Sequence, residues 1–435
     1  MISKAPRGTR DILPAEAESW QFIEEKFKDL CYAYNYSEIR PPIFEEAELF
    51  IRSVGEETDV VKKEMYIFQD RGGRQLALRP EGTAGAVRAY IEHNFNNVPQ
   101  PVKLFYYGPM FRYDRPQAGR QRQFYQMGIE LFGASDPAAD VDVIKFTEDF
   151  FKSLGFENLQ LYINSVGCAN CRSAYLEELK GFVEKNRDSF CEECRRRAST
   201  NPLRLLDCKE EVCAQILQEA PEITQYLCDT CRDHFEKVLS FLQGLNIDYI
   251  IEPRLVRGLD YYTSTAFEFH SLNLGAQNSL GGGGRYDDLV ELCGGPQTPG
   301  VGMAVGVERI LLAMEKEGLV PPGPGADGIF LALEVPGDME MRRASLNFLY
   351  WLRSKGIKAE IDYFERSLKA QLKYANRKNF KYVVIWGREE MEGESIRVRD
   401  MTRGEQLKVK QEDILSLLKQ DFQPSFQERG EQPLG

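Results

Sequence analysis

Residues Leu104–Gly133 read LFYYGPMFRYDRPQAGRQRQFYQMGIELFG, and this stretch decides the fold of the chain. Its second half alternates with a period of two, which predicts a strand over Gln123–Phe132. The apolar run at its start predicts a second strand, and the polar residues between them predict the loop of an antiparallel pair. One face of the later strand carries Tyr125, Met127, Ile129 and Leu131, and the other carries Gln126, Gly128 and Glu130.

The second of these faces is a candidate ligand site. Gln126 and Glu130 flank Gly128, and a glycine there leaves room for a small ligand against the sheet. The alternative is a solvated strand face with a bulge at Gly128. Planar guanidinium groups suit bidentate recognition of phosphate, although a surface hairpin with incidental arginines is the competing interpretation. The loop supplies Arg112, Arg115, Arg120 and Arg122.

The sequence on both sides of this hairpin predicts an α+β fold with two domains. An amphipathic helix over Pro14–Tyr32 and a strand over Tyr261–Phe269 indicate a mostly antiparallel sheet flanked by helices. After the Pro/Gly-rich linker 321–325, strands and helices alternate, which is typical of a separate α/β domain. The predicted elements are, in order, a strand at Ile329–Leu333, a helix at Met339–Ser354, a strand at Lys358–Ile361, a helix at Ser367–Asn379 and a strand at Tyr382–Trp386. We therefore predict an α+β domain at 1–325 with a helical, Cys-rich insertion at about 167–244, an α/β domain at 326–423, and a flexible tail at 424–435.

Composition excludes several classes of protein. The 435 residues carry a formal net charge of −12 and only three histidines, so histidine-based catalysis and a His-rich metal centre are not expected. The sequence contains no run of about 18 apolar residues, so it predicts no membrane span. Its first residues contain no apolar segment of the kind that a secretory signal has. We expect a cytoplasmic protein with no membrane partner.

Cysteine is concentrated in the predicted insertion. Eight of the ten cysteines lie there in spaced pairs, which in a reducing compartment indicate a thiolate metal site before they indicate disulfides. Structural zinc and reduced, partly buried thiols both remain open, and we assign no metal ligand from the sequence. The pairs are Cys168/Cys171, Cys191/Cys194, Cys208/Cys213 and Cys228/Cys231.

Leu104–Gly133 resembles motif 2 of class II aminoacyl-tRNA synthetases, in the version found in bacterial histidyl-tRNA synthetases. LVRGLDYYTSTAFEF (Leu255–Phe269) and GGGGRYDDL (Gly281–Leu289) resemble segments specific to that family. GVGMAVGVERILLAM (Gly300–Met314) is similar to motif 3, and YNYSEIRPPIFEEAELF (Tyr34–Phe50) is similar to motif 1. The resemblance implies a class II catalytic domain, a C-terminal anticodon-binding domain and a homodimer.

The same resemblance implies roles for individual residues. It places the amino-acid substrate, histidine, among Glu81, Gly82, Thr83, Arg112, Gln126, Glu130, Arg257, Tyr261, Tyr262 and Tyr286. Arg257 and Arg112 would act at the α-phosphate as catalytic residues. ATP would contact Arg112, Asp114, Arg120 and Arg309, and the tRNA acceptor end would contact Arg115 and Gln117. Asp114 departs from the family pattern, which usually has Glu near the adenine.

The segment Arg366–Lys381 contains six basic residues and no acidic one. A basic helix face is often merely solvated, but in a domain that resembles an anticodon-binding domain it predicts phosphate contact. The spacing places Arg366, Lys369, Lys373 and Arg377 on that face.

The function implied is histidine–tRNA ligation: ATP with Mg²⁺ activates L-histidine to histidyl-adenylate, which is transferred to the 3′ end of tRNA(His). One alternative is a non-catalytic, histidine-binding regulatory paralogue of ATP phosphoribosyltransferase. Such paralogues lack the C-terminal domain and usually lose ATP-site arginines, whereas Arg112, Arg257 and Arg309 are all present here. A synthetase for another amino acid is opposed by the two family-specific segments.

Overall fold

The computed structural model describes residues 4–117, 119–206, 208, 210–273, 279–321, 328–393, 395–410 and 413–416. The chain forms two compact units, Met1–Pro321 and Pro322–Gly435. Most of the predicted linker and all of the predicted tail at 424–435 lie outside the described residues. Within the described ranges, no helix has the length and apolar character needed to cross a membrane.

Helices and strands interleave through the first unit. Its strands are β1 (Ser37–Glu38), β2 (Phe44–Glu46), β3 (Ile67–Gln69), β4 (Gln75–Leu78), β5 (Val102–Phe111), β6 (Gln123–Phe132), β7 (Leu159–Ser165), β8 (Tyr249–Ile251), β9 (Thr263–Ser271), β10 (Ser279–Arg285) and β11 (Gly300–Gly306). Its helices are α1 (Pro14–Ala33), α2 (Ala47–Val54), α3 (Thr83–Glu92), α4 (Pro137–Ser153), α5 (Ala169–Lys185), α6 (Glu192–Thr200), α7 (Glu211–Ile216), α8 (Asp229–Gly244), α9 (Leu289–Leu292) and α10 (Val307–Glu317).

The main sheet of the first unit is mostly antiparallel, as predicted. Its strand order is β1-β5-β6-β11-β10-β9-β7-β8, and only β1–β5 and β7–β8 pair in parallel. A smaller sheet, ordered β2-β4-β3, lies at the motif 1-like segment. The predicted strand Gln123–Phe132 has the predicted bounds and lies centrally, between β5 and β11.

The alternation of β6 separates the apolar core from the polar face. Met127, Ile129 and Leu131 are buried in the largest apolar cluster, with Tyr125 packed at its edge. Glu130, which points the other way, is only 1 % exposed. The ladder through Gly128 is continuous on both sides, so the bulge considered for that position is absent from the described strand.

The Cys-rich segment forms helices α5–α8, between the parallel strands β7 and β8. Residues between Val166 and Ile223 build a second, smaller apolar core together with Ala266 of β9. Helix α8 instead buries Phe235, Val238 and Leu242 in the main core. The insertion is therefore anchored to the rest of the unit both through its last helix and through the packing of its own core on Ala266.

The second unit has the predicted alternation of strands and helices. The order of its sheet is β13-β12-β14-β15-β16, in which β13, β12 and β14 are parallel. Alternate residues of β12 contribute to two separate apolar clusters, so both faces of the sheet are covered. The elements are β12 (Ile329–Leu333), α11 (Met339–Ser354), β13 (Ala359–Ile361), α12 (Leu368–Arg377), β14 (Tyr382–Trp386), α13 (Arg388–Met391), β15 (Ile396–Asp400) and β16 (Gln406–Val409).

Candidate active site

Glu130 is the centre of a buried polar pocket on the main sheet. Three hydroxyl groups donate to its carboxylate: Thr83 Oγ1 at 2.7 Å, Tyr106 OH at 3.2 Å, and Tyr286 OH. Thr83 begins α3, Tyr106 lies in β5, and Tyr286 directly follows β10. An ionised carboxylate can accept about four hydrogen bonds, so in that form Glu130 can accommodate one more donor.

Glu81 lies beside this pocket and caps α3. Its two carboxylate oxygens accept from the backbone N–H groups of Thr83 (2.7 Å) and Ala84 (2.9 Å), groups that a helix N-terminus otherwise leaves unpaired. Thr83 thus bonds Glu81 through its backbone and Glu130 through its side chain. The two carboxylates are held at fixed positions by one residue.

The predicted ligand cavity above Gly128 is not present, because another side chain occupies that space. A Cβ at Gly128 would lie 2.4 Å from Tyr106 Cζ and OH, so the tyrosine fills that space instead of a ligand. Gly82 is constrained in the same way, because a Cβ there would lie 2.1 Å from Tyr106 Cε2. Both glycines allow Tyr106 to reach Glu130, and the pocket lies beside Gly128 rather than over it.

Aromatic side chains form one wall of the pocket. The ring centroids of Tyr261 and Tyr262 are 4.6 Å apart, and Tyr261 meets Tyr286 edge-on at 5.8 Å. Gln126 shares the polar face of β6, and its buried Oε1 accepts no hydrogen bond from the described residues. That oxygen is therefore available to a ligand ammonium or N–H group.

Arg257 precedes β9 and is fixed by a carboxylate of that strand. Its guanidinium forms an ion pair with Glu268, and its centre lies 6.0 Å from the Tyr262 ring. His270 Nε2 is 2.9 Å from the second oxygen of Glu268. Burial alone would raise the pKa of Glu268, but Arg257 and His270 hold that pKa at about 2. Arg257 Nε, although buried, donates to none of the described residues.

Four arginines approach one another next to this pocket. The pKa of Arg309 is lowered by burial and also by the positive charges of Arg120, Arg257 and Arg112. Arg309 lies in the first turn of α10, where its NH1 donates to Ser279 O at 3.1 Å, and Arg112 Nε donates to Pro80 O at 2.8 Å. Guanidinium groups close enough to lower one another's pKa repel, and a bound anion would relieve that repulsion, so this concentration of positive charge suits a polyphosphate.

The loop between β5 and β6 exposes its other polar residues. Asp114 accepts from Arg115 N–H at 2.6 Å and pairs with Arg120 at 3.4 Å. Gln117 and Arg120 exchange backbone hydrogen bonds of 3.0 and 2.9 Å, and Arg115 and Gln117 are both exposed. The loop is thus a hairpin whose tip residues can meet a second molecule.

The four basic residues predicted to form one face of the second unit differ in their exposure and contacts. Lys369, Lys373 and Arg377 are exposed on α12. Arg366 precedes that helix, forms an ion pair with Asp362 and lies 4.0 Å from the Tyr374 ring. The predicted face of four therefore has three freely exposed members and one that is held by a carboxylate.

Comparison with known proteins identifies the family. The family model described as Histidyl-tRNA synthetase matches residues 8–310, and that of an Anticodon binding domain matches 337–421. The chain belongs to the histidyl-tRNA synthetase family. Histidine–tRNA ligases of Pelotomaculum thermopropionicum and Caldanaerobacter subterraneus are 53 % and 49 % identical, over 97 % and 96 % of this chain and 98 % and 100 % of theirs. The apo histidyl-tRNA synthetase of S. aureus is 40 % identical with a TM-score of 0.80, covering 96 % of this chain and all of that one.

In this member of the histidyl-tRNA synthetase family, two residues of the site were not singled out from sequence. Tyr106 could have been found from the hairpin, because it pairs directly with Gly128. Glu268 lies within the quoted segment Leu255–Phe269, and a carboxylate between two phenylalanines, Phe267 and Phe269, was its only signal. The other predicted pocket residues lie near Glu130 or near a residue that contacts it. They are Glu81, Gly82, Thr83, Gln126, Tyr261, Tyr262 and Tyr286.

The protonation of Glu130 is coupled to the folding of this family member. Burial raises the pKa of Glu130 to about 8, against partial compensation by hydrogen bonds from Tyr286 and Thr83, and the nearby Glu81 raises it further. Between pH 4.5 and about 8 the folded chain therefore keeps a proton that the unfolded chain releases. Through this group, stability must fall as pH rises across that window and level off above it.

We expect a Glu130→Gln variant to lose this pH dependence, since glutamine does not titrate. Urea unfolding of wild type and variant at several pH values should show the wild type losing stability relative to the variant from pH 4.5 to about 8. Other titrating groups are common to both proteins and cancel in the difference. A difference that stays constant with pH would contradict the raised pKa.

Proposed function

We propose that this chain is a histidine–tRNA ligase, which activates L-histidine with ATP to histidyl-adenylate and then esterifies the 3′ end of tRNA(His). The observation that carries the proposal is the position of a hydroxyl-lined carboxylate, Glu130, beside the converging arginines Arg112, Arg120, Arg257 and Arg309. The catalytic domain is assigned to 1–325 with its insertion at 167–244, and the anticodon-binding domain to 326–423.

Recognition of histidine is assigned to the pocket around Glu130. The imidazole N–H donates to the remaining acceptor position of Glu130, and Tyr262 contacts the second ring nitrogen. Glu81, Gln126 and Thr83 receive the α-ammonium group, and Gly82, Tyr261 and Tyr286 shape the walls. An amino acid without ring nitrogens would leave Glu130 buried with an unused acceptor, and such sites reject analogues strongly.

Adenylate formation is assigned to electrostatic stabilisation by the arginines. The histidine carboxylate attacks the α-phosphate of ATP in line, pyrophosphate leaves, and negative charge develops on the phosphate oxygens. Arg257 and Arg112 are the catalytic residues at the α-phosphate. Glu268 holds Arg257 in place, as the ion pair between them indicates.

The remaining ATP contacts are assigned to Arg120, Arg309 and Asp114, with Mg²⁺ accompanying the polyphosphate. Asp114 is engaged by Arg115 N–H and Arg120, so its contact with adenine would extend from a carboxylate already oriented by the loop. Arg115 and Gln117, exposed at the hairpin, contact the tRNA acceptor end.

The basic face of α12 is assigned to the tRNA backbone, with Lys369, Lys373 and Arg377 as its exposed members and Arg366 at its edge. Phosphate contacts of this kind dominate affinity for nucleic acids and weaken with salt. Because the net charge of the chain is −12, its total charge does not indicate nucleic-acid binding, and the local basic face is the relevant feature.

Reversing two charges on this face should weaken tRNA binding without touching adenylation. We expect the double variant Lys369→Glu, Lys373→Glu to raise KM for tRNA by about tenfold and to leave histidine-dependent pyrophosphate exchange unchanged. Lys355→Glu, an exposed lysine elsewhere in the same unit, is the matched control. An unchanged KM for tRNA in the double variant would mean that the face is only solvated.

A homodimer and a cytoplasmic location complete the proposal. The motif 1-like segment and strand β3 of the same small sheet expose a group of large apolar side chains, which a second copy would cover. These are Ile43, Phe44, Ile67 and Phe68, between 42 % and 53 % exposed. A cytoplasmic location follows from the proposed role in protein synthesis.

Pyrophosphate exchange measured with each of the twenty amino acids tests the function directly. Exchange with histidine alone is expected. Exchange with another amino acid would favour a synthetase of different specificity. Histidine binding without exchange would favour the regulatory paralogue of ATP phosphoribosyltransferase, and either result would overturn the proposal.

A further inference from the structure

Eight cysteines of the insertion lie in two compact groups of four. Within each group the sulfur atoms all lie within 4.8 Å of one another. The outer cluster consists of Cys168, Cys171, Cys228 and Cys231, and the inner cluster consists of Cys191, Cys194, Cys208 and Cys213.

The clusters join parts of the chain that are distant in sequence. Cys168 and Cys228 are the N-cap residues of α5 and α8, so the outer cluster ties the starts of these two helices together. The inner cluster lies in the sequence between them, and Cys191 is likewise the N-cap residue of α6. Each cluster combines two of the cysteine pairs seen in the sequence. The spacing within a pair does not show which other pair it joins.

Backbone N–H groups point at the sulfur atoms in both clusters. Cys228 N–H donates to Cys171 Sγ at 3.1 Å in the outer cluster. In the inner cluster, Cys191 N–H donates to Cys213 Sγ at 3.3 Å and Cys194 N–H donates to Cys191 Sγ at 3.4 Å. Such bonds favour sulfur as a charged acceptor, which is the form that binds metal ions.

The distances favour a single ion over the two other uses of four cysteines. Cys168 and Cys171 Sγ are 3.6 Å apart, whereas a disulfide needs about 2.05 Å. Four thiolates at about 2.3 Å around a tetrahedral zinc ion have sulfur atoms about 3.8 Å apart. A four-iron cluster places each thiolate on a different iron and spreads the sulfurs further than these groups are spread.

Apolar packing at the outer cluster is too limited to join the two helices by itself. Its local core among the described residues consists of Cys171, Leu227 and Cys231, with Cys168 at the edge. Each cluster also contains two buried cysteines and two more accessible ones, so an ion can enter from the solvent side. Small regions with so little apolar core commonly depend on a cross-link or a structural metal.

The insertion that the clusters hold together contacts the active-site segment. Asn201 Nδ2 donates to both carboxylate oxygens of Asp260 at 3.1 Å, and Arg172 NH1 donates to Tyr262 O at 3.3 Å. Arg172 directly follows Cys171, and Asn201 lies between the two halves of the inner cluster. The positions of these donors depend on the geometry of the clusters.

We propose that the insertion binds two structural Zn²⁺ ions, each held by the four thiolates of one cluster, and that they fix the insertion against the segment 257–262. Each ion replaces the protons of its four cysteines, so binding releases protons and strengthens as pH rises. The inference is independent of the proposed function, because zinc content and histidine activation are measured separately.

Metal analysis of the full-length chain, expressed with zinc and purified under reducing conditions without chelator, tests the proposal. Two zinc ions per chain are expected, matching the two groups, with X-ray absorption showing four sulfurs at about 2.3 Å. Cys168→Ser and Cys191→Ser should each lose one ion, and the double variant should lose both. Cys293→Ser, a partly exposed cysteine outside the clusters, should retain both.

A measurement on the wild-type protein tests the proposal even if the cysteine variants fail to fold. A mercurial thiol reagent should release two zinc ions per chain, and hydrogen exchange at 257–262 should rise on release while the second unit is unchanged. Absence of zinc, iron in its place, or intramolecular disulfides in the purified chain would overturn the metal assignment. Unchanged exchange at 257–262 after release would overturn the link to the active site.

Discussion

Replacing Glu130 with glutamine is expected to lower kcat/KM for histidine in pyrophosphate exchange by about a thousandfold. The carboxylate is the only group in the described pocket that already collects three donated hydroxyls and retains capacity for another donor. Glutamine replaces one carboxylate oxygen with an amide nitrogen, whose N–H groups can only donate. Because the surrounding hydroxyls and the ligand also donate at this position, donor would face donor. Most of the loss should appear as a higher KM for histidine, because the contact is made in the bound ground state.

The folded state of this variant should survive, which separates a binding defect from unfolding. Since burial of the charged form is what raises the pKa of Glu130, a neutral side chain removes a cost that grows with pH. Glu308→Gln is the matched control: its pKa is also raised by burial, to about 7, and its oxygen can still accept from Tyr125 N–H as the wild-type carboxylate does at 3.0 Å. A KM for histidine equal to wild type in the Glu130 variant would remove Glu130 from substrate recognition.

Arg257→Gln is expected to lower kcat of adenylate formation by about 10²–10³-fold, the usual effect of losing one preorganised donor at a developing anion. Arg257 has a free, buried Nε and is held by Glu268 beside the other three arginines. Removing its charge withdraws stabilisation when the phosphate oxygens gain charge, so kcat should fall more than KM for histidine rises. Single-turnover adenylate formation measures this step directly.

Two further variants make the Arg257 result specific. Arg254→Gln removes a nearby arginine that pairs with Glu252 at 3.0 Å, and it should retain wild-type kcat. Glu268→Gln should give a smaller loss than Arg257→Gln, because it loosens the guanidinium without removing it. Equal kcat in Arg257→Gln and wild type would exclude a role at the α-phosphate.

Much of the architecture was predictable because its signals are local. The bounds of β6, β12, α11 and β14 match the predicted ranges, since period-two or period-3.6 patterns recur within a few residues. Boundaries shifted where a local conformation intervened. The predicted helix over residues 367–379 ends at Arg377, and Asn379 has a positive φ of 56°, which is incompatible with continuing the helix.

The candidate site was predictable only in part. The sequence supplied its residue types and, through resemblance, their assigned roles, which remain predictions. Tyr106 escaped notice because its place above Gly82 and Gly128 depends on the pairing of β5 with β6 and on the approach of α3. Glu268 escaped notice because its partner Arg257 lies outside the strand that carries it.

By itself, the sequence Leu104–Gly133 determined a strand pair, the division of β6 into an apolar and a polar face, and the resemblance to class II aminoacyl-tRNA synthetases. The resemblance to histidyl-tRNA synthetases in particular needed the later segments Leu255–Phe269 and Gly281–Leu289. Alternation is a property of consecutive residues, so it needs no knowledge of the remaining chain. Only the tertiary structure decided which tyrosine fills the space over Gly128, which carboxylate holds Arg257, and which four cysteines share a cluster. These contacts join residues far apart in sequence, and their distances are set by strand order, register and helix packing.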